Sequence, residues 1–332
     1  MSDKICVIGS NSFTGATFVK HCLEKGHAVL GLSRSEEPAD CFLPYKWLDA
    51  DSLKGFQFTV MDLNKDLPSV PELLGDFRPD YVVNFAAQSM VAESWLHPEH
   101  WYQTNVVSNV LLHEQLRRMD FIKKYVHIST PEVYGSCSGL VEENAPFNPS
   151  TPYAASRAAC DLHLMTYFKH WNFPVVFTRA ANVYGPGQQL YRIIPRVLLC
   201  ARAGLKLQLH GGGHSVRSFI YGEDVAAGTL LVAEKAKPGD AFHLSTSLNI
   251  SIADLVRMIC EKMNVDFDYI VEVVGERAGK DAAYLLSSAK AHRDLGWSDK
   301  ISLESGVDST IAWMDKHLDS IQSQPQSYIH KP

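Results

Sequence analysis

Short apolar runs alternate with helix-spaced apolar positions along the first half of the chain. Ile5-Cys6-Val7-Ile8 stops at Gly9, and from Phe13 to Lys25 the residues Phe18, Val19, Cys22 and Leu23 then recur at the spacing of one helix face. After Gly26-His27 the run Ala28-Val29-Leu30-Gly31-Leu32 is continuously apolar, as a strand buried on both faces of a parallel sheet must be. This order predicts a βαβ unit at the start of the chain. The stretch from Arg34 to Gly55 carries Pro38, Pro44 and Gly55 without periodicity and is expected to be a long irregular excursion that contributes surface, not core. Further strands are predicted at Phe56 to Val60, Tyr81 to Asn84, Tyr125 to Ile128 and Val175 to Thr178, with helices at Glu99 to Arg118 and Pro152 to Trp171. Strands alternating with helices imply an α/β fold built on a doubly wound parallel sheet.

Beyond about Gly185 the pattern changes. Helices are predicted at Arg192 to Arg202, Glu223 to Lys235, Ile252 to Lys262 and Ser305 to His317, with short strands near Leu207 to Leu209 and Ala241 to Leu244. The expected division is residues 1–184 as the parallel-sheet domain and 185–318 as a smaller mixed α/β lobe, with excursions of the chain between the two. Residues 319–332, polar and with two prolines from Ser320 onward, are expected to form a flexible tail.

Composition narrows the function. The chain has 332 residues, 46% hydrophobic and 20% charged, which excludes disorder as a description of the whole. With 31 basic against 37 acidic side chains the net charge is −6, so no overall basic field draws nucleic acid or an anionic membrane, and local groups must hold any anionic ligand. Seven cysteines stand singly, without a C-x-x-C pair, and read as reduced thiols. The run Ile5 to Ile8 is too short for a signal segment or a membrane span, so a soluble cytoplasmic protein is expected. The 14 histidines show no metal-binding spacing, and no metal is expected.

Three places carry chemistry. The turn Gly9-Ser10-Asn11-Ser12-Phe13-Thr14-Gly15 joins the first strand to the first helix, where a dinucleotide pyrophosphate needs close backbone approach and the positive end of a helix. The second strand ends in Ser33-Arg34-Ser35, without the carboxylate that would hold the ribose 2′-hydroxyl of NAD. Arg34 is therefore either a grip for the 2′-phosphate of NADP, the reading preferred here, or a solvated loop arginine. Ser129-Thr130-Pro131-Glu132-Val133-Tyr134-Gly135 ends a strand, and Tyr153 and Arg157 share one face of the helix that follows. A phenol with an ordinary pKa near ~10 needs a fixed positive neighbour to act as a base at neutrality. Arg157 is placed to be that neighbour, although a Tyr and an Arg one turn apart are by themselves more often structural.

At these residues the chain resembles the extended short-chain dehydrogenase/reductases, and among them the nucleotide-sugar 4,6-dehydratases of the dTDP-glucose type. The resemblance covers residues 4 to 318 and rests on ordered motifs: the Gly9 to Gly15 turn, Asp62-Leu63, Asn84-Phe85-Ala86-Ala87-Gln88-Ser89, the 129–135 segment, Tyr153, Arg179 to Pro186, Arg217 to Asp224 and Arg277 to Asp281. It implies a Rossmann-type fold and a nicotinamide cofactor, NADP or NAD, held by Gly9, Ser12, Phe13, Thr14, Gly15, Ser33, Arg34, Asp62, Leu63, Phe85, Ala86, Ala87, Ser129, Tyr153 and Arg157. It also implies a nucleotide-diphosphate sugar held by Gln88, Ser89, Glu132, Asn182, Arg192, Gln208, His210, Arg217 and Arg277. Thr130, Glu132, Tyr153 and Arg157 are the implied catalytic set. Tyr153 takes the proton of the sugar 4-hydroxyl, Thr130 polarises that oxygen, and Glu132 removes the C5 proton as water leaves C6. A homodimer paired through the helices at 99–118 and 152–171 is implied as well.

Three positions depart from the family pattern. Ser12 replaces the middle glycine of the turn, Arg157 replaces the lysine one helical turn after the tyrosine, and Pro131 stands where the dTDP-glucose enzymes carry an aspartate acid. GDP-mannose 4,6-dehydratases also lack that aspartate, and Glu132 then serves as base and acid in turn, or a water serves as the acid. A related 4-epimerase, a uronic-acid decarboxylase and a catalytically silent dinucleotide sensor are the alternatives. Glu132 weighs against the epimerase, and the three departures favour the sensor.

Overall fold

The computed structural model describes residues 2–137, 139–275 and 285–332. The strands in chain order are β1 (Lys4–Ile8), β2 (Ala28–Ser33), β3 (Phe56–Val60), β4 (Tyr81–Asn84), β5 (Lys124–Ile128), β6 (Leu140–Val141), β7 (Val175–Ala180) and β8 (Asn182–Tyr184). They continue with β9 (Leu207–His210), β10 (Val216–Arg217), β11 (Phe219–Tyr221), β12 (Ala241–Leu244), β13 (Ile250–Ser251), β14 (Val271–Val274) and β15 (Leu285–Leu286). The helices are α1 (Phe13–Glu24), α2 (Ala50–Leu53), α3 (Val70–Phe77), α4 (Pro98–Tyr102), α5 (Asn109–Leu116), α6 (Pro152–Trp171) and α7 (Ile193–Ala203). Then follow α8 (Gly222–Lys235), α9 (Ile252–Met263), α10 (Phe267–Ile270), α11 (Ala289–Leu295), α12 (Leu303–Lys316) and α13 (Leu318–Gln322).

Seven parallel strands form the central sheet in the order β12-β7-β5-β4-β1-β2-β3. The strand order reverses between β1 and β4, and ligands of such sheets bind outside the carboxyl ends of the strands at that point. Alternation along β1 feeds two cores. Ile5 and Val7 pack with Phe18, Val19 and Leu230 on the face covered by α1 and α8. Cys6 and Ile8 pack with Leu74, Leu112 and Leu164 on the face covered by α3, α5 and α6. Burial on both sides is why these strands read as unbroken apolar runs. A third core gathers Ile194, Val197, Leu198, Leu255, Val256, Ile259, Val307 and Met314 from α7, α9 and α12, and forms the smaller lobe.

Four differences from the sequence reading have physical causes. The excursion after Arg34 does contribute core: Leu43 and Tyr45 are fully buried in the α1 face and Cys41 in the smaller lobe. Its single-turn 3-10 segments at Asp40–Phe42 and Pro44–Trp47 have no helical period to reveal this. The helix expected at 99–118 is interrupted by a π-helical stretch at Gln103–Ser108, where Asn109 Nδ2 donates to the Thr104 carbonyl at 2.8 Å and takes up an acceptor of the helix ladder. Strand β12 and helix α8 belong to the central sheet rather than to the smaller lobe, since a four-residue apolar run does not say which sheet it joins. The residues expected as a tail begin with α13, whose Ile321 is fully buried, and then run back over the molecule.

Candidate active site

The Gly9–Gly15 turn is built by contacts that leave no room for side chains at its glycines. Gly9 has φ +85° and a Cβ there would lie 2.7 Å from the Ala86 nitrogen; a Cβ on Gly15 would lie 2.2 Å from the Gly9 carbonyl oxygen. Ser12 caps α1: its Oγ accepts from the Gly15 N–H at 3.1 Å and donates to the Gly9 carbonyl at 2.7 Å. The hydroxyl at the substituted position therefore holds the turn's shape. Phe13 and Thr14 open α1, so the free N–H groups of its first turn face the carboxyl end of β1. This cradle fits a pyrophosphate.

Around it, Ser33 Oγ accepts from the Asn11 N–H at 2.9 Å, and Asn11 Nδ2 donates to the carbonyls of Ser35 and Glu36 at 2.9 and 3.2 Å. These bonds fix the loop that carries Arg34. Arg34 itself donates to the carbonyls of Lys331 and Pro332. Asp62 accepts from the Asn64 N–H, and Leu63 is buried in the core behind it. Phe85 packs on Phe18 with ring centroids 5.4 Å apart, the Ala86 N–H donates to Asn84 Oδ1 at 2.9 Å, and Ala87 follows half-buried.

At the end of β5, Thr130 caps a single 3-10 turn over Pro131–Tyr134, with Glu132 in that turn. Pro131 occupies the first position, where a missing N–H costs nothing and its fixed φ suits the turn. Opposite, Thr151 caps α6, accepting from the Ala154 N–H at 3.1 Å, and so places Tyr153 in the first helical turn. Thr130 lies close enough to the Tyr153 phenol to favour its ionised form, and Glu132, Arg157 and Arg192 lie within electrostatic reach. Burial, then the Glu132 charge, push its pKa above the ordinary phenol value, while Arg157, Thr130 and Arg192 pull it down.

Arg157 does not extend towards the surface. It is 2% exposed, and its Nη2 donates to the Ile128 carbonyl and to His127 Nε2, the latter at 3.2 Å. Burial and the Arg157 charge drive the His127 pKa far down, so the ring is neutral and accepts on Nε2. Arg157 thus acts on Tyr153 as a fixed charge beneath the site. One helical turn on, Asp161 accepts from Ser129 Oγ at 2.6 Å and from Arg179 Nη2 at 2.8 Å, and Arg179 Nη1 donates to Tyr134 Oη at 3.0 Å. Asp161, Arg179 and Tyr134 escape a reading by catalytic motif. The signal for Asp161 was present in the spacing, since Tyr153, Arg157 and Asp161 are each four residues apart on one face of α6.

The residues assigned to a sugar nucleotide are spread over both lobes. Gln88 is buried beyond β4, taking Asn105 Oδ1 on its N–H at 2.8 Å, and Ser89 beside it is exposed. Asn182 on β8 donates Nδ2 to the Ser218 carbonyl at 3.1 Å. Arg192 immediately precedes α7, without a side-chain capping bond, and stands over the Tyr191 ring. Gln208 and His210 lie on β9, with Gln208 exposed and His210 Nδ1 3.1 Å from the Gly275 carbonyl. Arg217 lies on β10, paired with β13. Arg277 falls outside the described residues. The structure joins Thr130, Glu132, Tyr153, Arg157 and Arg192 at one centre and leaves Gln208, His210 and Arg217 on the smaller lobe.

Comparison with known proteins bears on this arrangement. The family model described as GDP-mannose 4,6 dehydratase matches residues 6–310. The chain belongs to that family. Among its relatives, a dTDP-glucose 4,6-dehydratase of Streptomyces antibioticus is 32% identical, over 93% of this chain and 91% of the relative. The crystal structure of the dTDP-glucose 4,6-dehydratase from Streptomyces venezuelae with NAD and TYD bound is 28% identical, with a TM-score of 0.87 covering 96% of this chain and 98% of that one. A UDP-glucose 4-epimerase from Thermotoga maritima with UDP-glucose has a TM-score of 0.85 at 25% identity, over 95% of this chain and 99% of that one. The 4,6-dehydratase family therefore accounts for the parallel sheet, the glycine turn and the Tyr153 helix together.

Proposed function

We propose that the protein is a nucleotide-sugar 4,6-dehydratase, and the observation that carries this reading is Glu132 beside the Thr130–Tyr153 pair. A nicotinamide dinucleotide in the Gly9–Gly15 cradle supplies a hydride acceptor for C4 and a donor for C6. Tyr153 accepts the proton of the sugar 4-hydroxyl, with Thr130 hydrogen-bonded to the same oxygen and the buried Arg157 charge favouring the phenolate. The 4-ketone acidifies the C5 hydrogen, Glu132 removes that proton, and with Pro131 in place of an acid Glu132 returns it to the departing C6 hydroxyl, which leaves as water. Arg192 and Arg217, one near the Tyr153 centre and one on the smaller lobe, are suited to the diphosphate. NAD is the cofactor we assign, as bound in the Streptomyces venezuelae relative, in place of the NADP preference that Arg34 suggested.

We further propose a homodimer. Leu96, Tyr102, Val107, Leu111, Leu162 and Trp171 leave large apolar surfaces exposed on and beside α4, α5 and α6, the helices the family resemblance assigns to pairing. No helix among the described residues is long and apolar enough to cross a membrane. The seven cysteines are free thiols, which fits the reducing cytoplasm where we place the protein.

The deciding experiment incubates the protein with UDP-, dTDP-, GDP- and CDP-hexoses and follows product mass. Loss of one water from one of them is the expected result. Wild-type protein that yields only the C4 epimer moves the function to the epimerase, and loss of carbon dioxide from a uronic acid moves it to the decarboxylase. Glu132→Gln is expected to reduce bound cofactor, read at about 340 nm from the nicotinamide itself, yet release no dehydrated sugar, whereas Tyr153→Phe loses both steps. Full dehydration by Glu132→Gln refutes the role given to Glu132.

A further inference from the structure

The last residues of the sequence cross the site. Gln326 Oε1 accepts from Arg196 of α7 at 3.2 Å, and the Tyr328 ring meets Tyr191 edge-on at 5.6 Å. His330 stacks on Trp101 and His100, each with centroids 5.1 Å away, and its Nε2 lies 2.8 Å from His100 Nδ1. The Lys331 carbonyl then accepts from Gln88 Nε2 at 2.5 Å and from Arg34 Nη1 at 3.1 Å, and the Pro332 carbonyl from Arg34 at 3.3 Å.

The placement of these partners is decisive. Arg34 follows β2 and Gln88 lies beyond β4, and β1 runs between those two strands in the sheet. A backbone carbonyl that joins Arg34 to Gln88 therefore bridges the carboxyl end of β1, where the Gly9–Gly15 cradle opens. The bridge is anchored at both ends by side chains from separate elements: Arg196, Tyr191, Trp101 and His100 before it, Arg34 and Gln88 at it. Carbonyl oxygens bound to a guanidinium offer it the partial negative charge that a ribose or phosphate oxygen would otherwise provide. The segment satisfies donors at the cradle's rim, Arg34 and Gln88, with the chain's own backbone.

We propose that residues 327–332 are an internal competitor for the dinucleotide: a strap that closes on Arg34 and Gln88 when the cofactor is away and must leave before it enters. The proposal rests on the reading of the Gly9–Gly15 turn as the dinucleotide site. The strap lowers apparent affinity by the fraction of molecules in which it is open, so a strap closed about nine-tenths of the time weakens binding roughly tenfold. Apolar ring stacking and hydrogen bonds of this kind, made by a short segment with no secondary structure, are of the size that permits such opening.

Calorimetry with NAD on the full chain and on a chain ending at Gln326 tests it. The shortened protein is expected to bind about tenfold tighter, and a synthetic peptide of residues 327–332 added back is expected to compete with NAD. The full-length double variant Tyr328→Ala/His330→Ala, which keeps every backbone carbonyl but removes the ring anchors, is expected to move in the same direction. Equal or weaker binding by both altered proteins overturns the strap and leaves the cofactor site standing. Absence of NAD and NADP binding by all three proteins overturns the cofactor reading, and the strap with it.

Discussion

Replacing Asp161 by Asn should destabilise the protein by about 3 kcal/mol, at the lower edge of the ~3–5 kcal/mol seen when one partner of a buried ion pair is removed. Asp161 is 1% exposed and lies among two buried guanidinium groups, Arg179 paired with it at 2.8 Å and Arg157 one helical turn away. The amide keeps the shape and one acceptor oxygen, so the Ser129 contact persists as a neutral hydrogen bond worth about 1 kcal/mol, and the Arg179 contact persists with a charge on the donor alone. What is lost is the counter-charge. The two arginines cannot shed their protons, and the surrounding histidines already sit neutral: burial holds His127 and His113 far below the usual imidazole range, and His243 at about 3. Nothing nearby can titrate to absorb the imbalance. Urea unfolding of wild type and Asp161→Asn measures the difference directly, and Asp80→Asn is the control. Asp80 pairs with Lys123 at 2.9 Å where both side chains are partly solvated, and its loss should cost under about 1 kcal/mol. A cost below about 1 kcal/mol for Asp161→Asn, at an unchanged denaturant slope, would refute the view that Asp161 neutralises the floor of the site.

Two further outcomes follow from the same geometry. Because the Glu132 charge raises the Tyr153 pKa, Glu132→Gln should move the basic form of the phenol to lower pH, so that single-turnover cofactor reduction reaches its plateau at lower pH than in wild type; an unmoved or upward-shifted limb contradicts the placement of the two groups. Light scattering should give about twice the 37.0 kDa chain mass at micromolar concentration, and Leu111→Glu with Leu162→Glu should return it to a monomer; a monomeric wild type excludes the proposed pairing.

The parts of the fold that were legible in the sequence are those where one local pattern has one structural solution. The apolar runs of β1, β2, β4, β5 and β7 are buried on both faces, and α1 and α6 carry caps at Ser12 and Thr151 that fix where they begin. The Thr130, Glu132 and Tyr153 centre was legible because a strand end and a helix start bring it together. What escaped depends on contacts distant in sequence. Tyr45 enters the core through an aperiodic segment, and Asn109 interrupts a helix through its own side chain. Arg157 is drawn inward by His127 and the Ile128 carbonyl, neither of which its helix position reveals. The Lys331 carbonyl reaches Gln88 across most of the chain, and no periodicity in a polar segment announces such a partner.

The position of β12 sets an order on how this molecule can come into being. Strand β7 emerges from synthesis with one edge on β5 and the other bare, and its neighbour on that side is not made until the chain has passed through β8, α7, β9, β10, β11 and α8. In that interval the growing chain displays an apolar, untwinned strand edge, the kind of surface on which a second nascent chain can template. A break or early stop between Ala180 and Ala241 would therefore leave β7 at the edge without its partner. It would leave a sheet with an open seam, so the central sheet is completed only after α7 and β9 of the smaller lobe have been made.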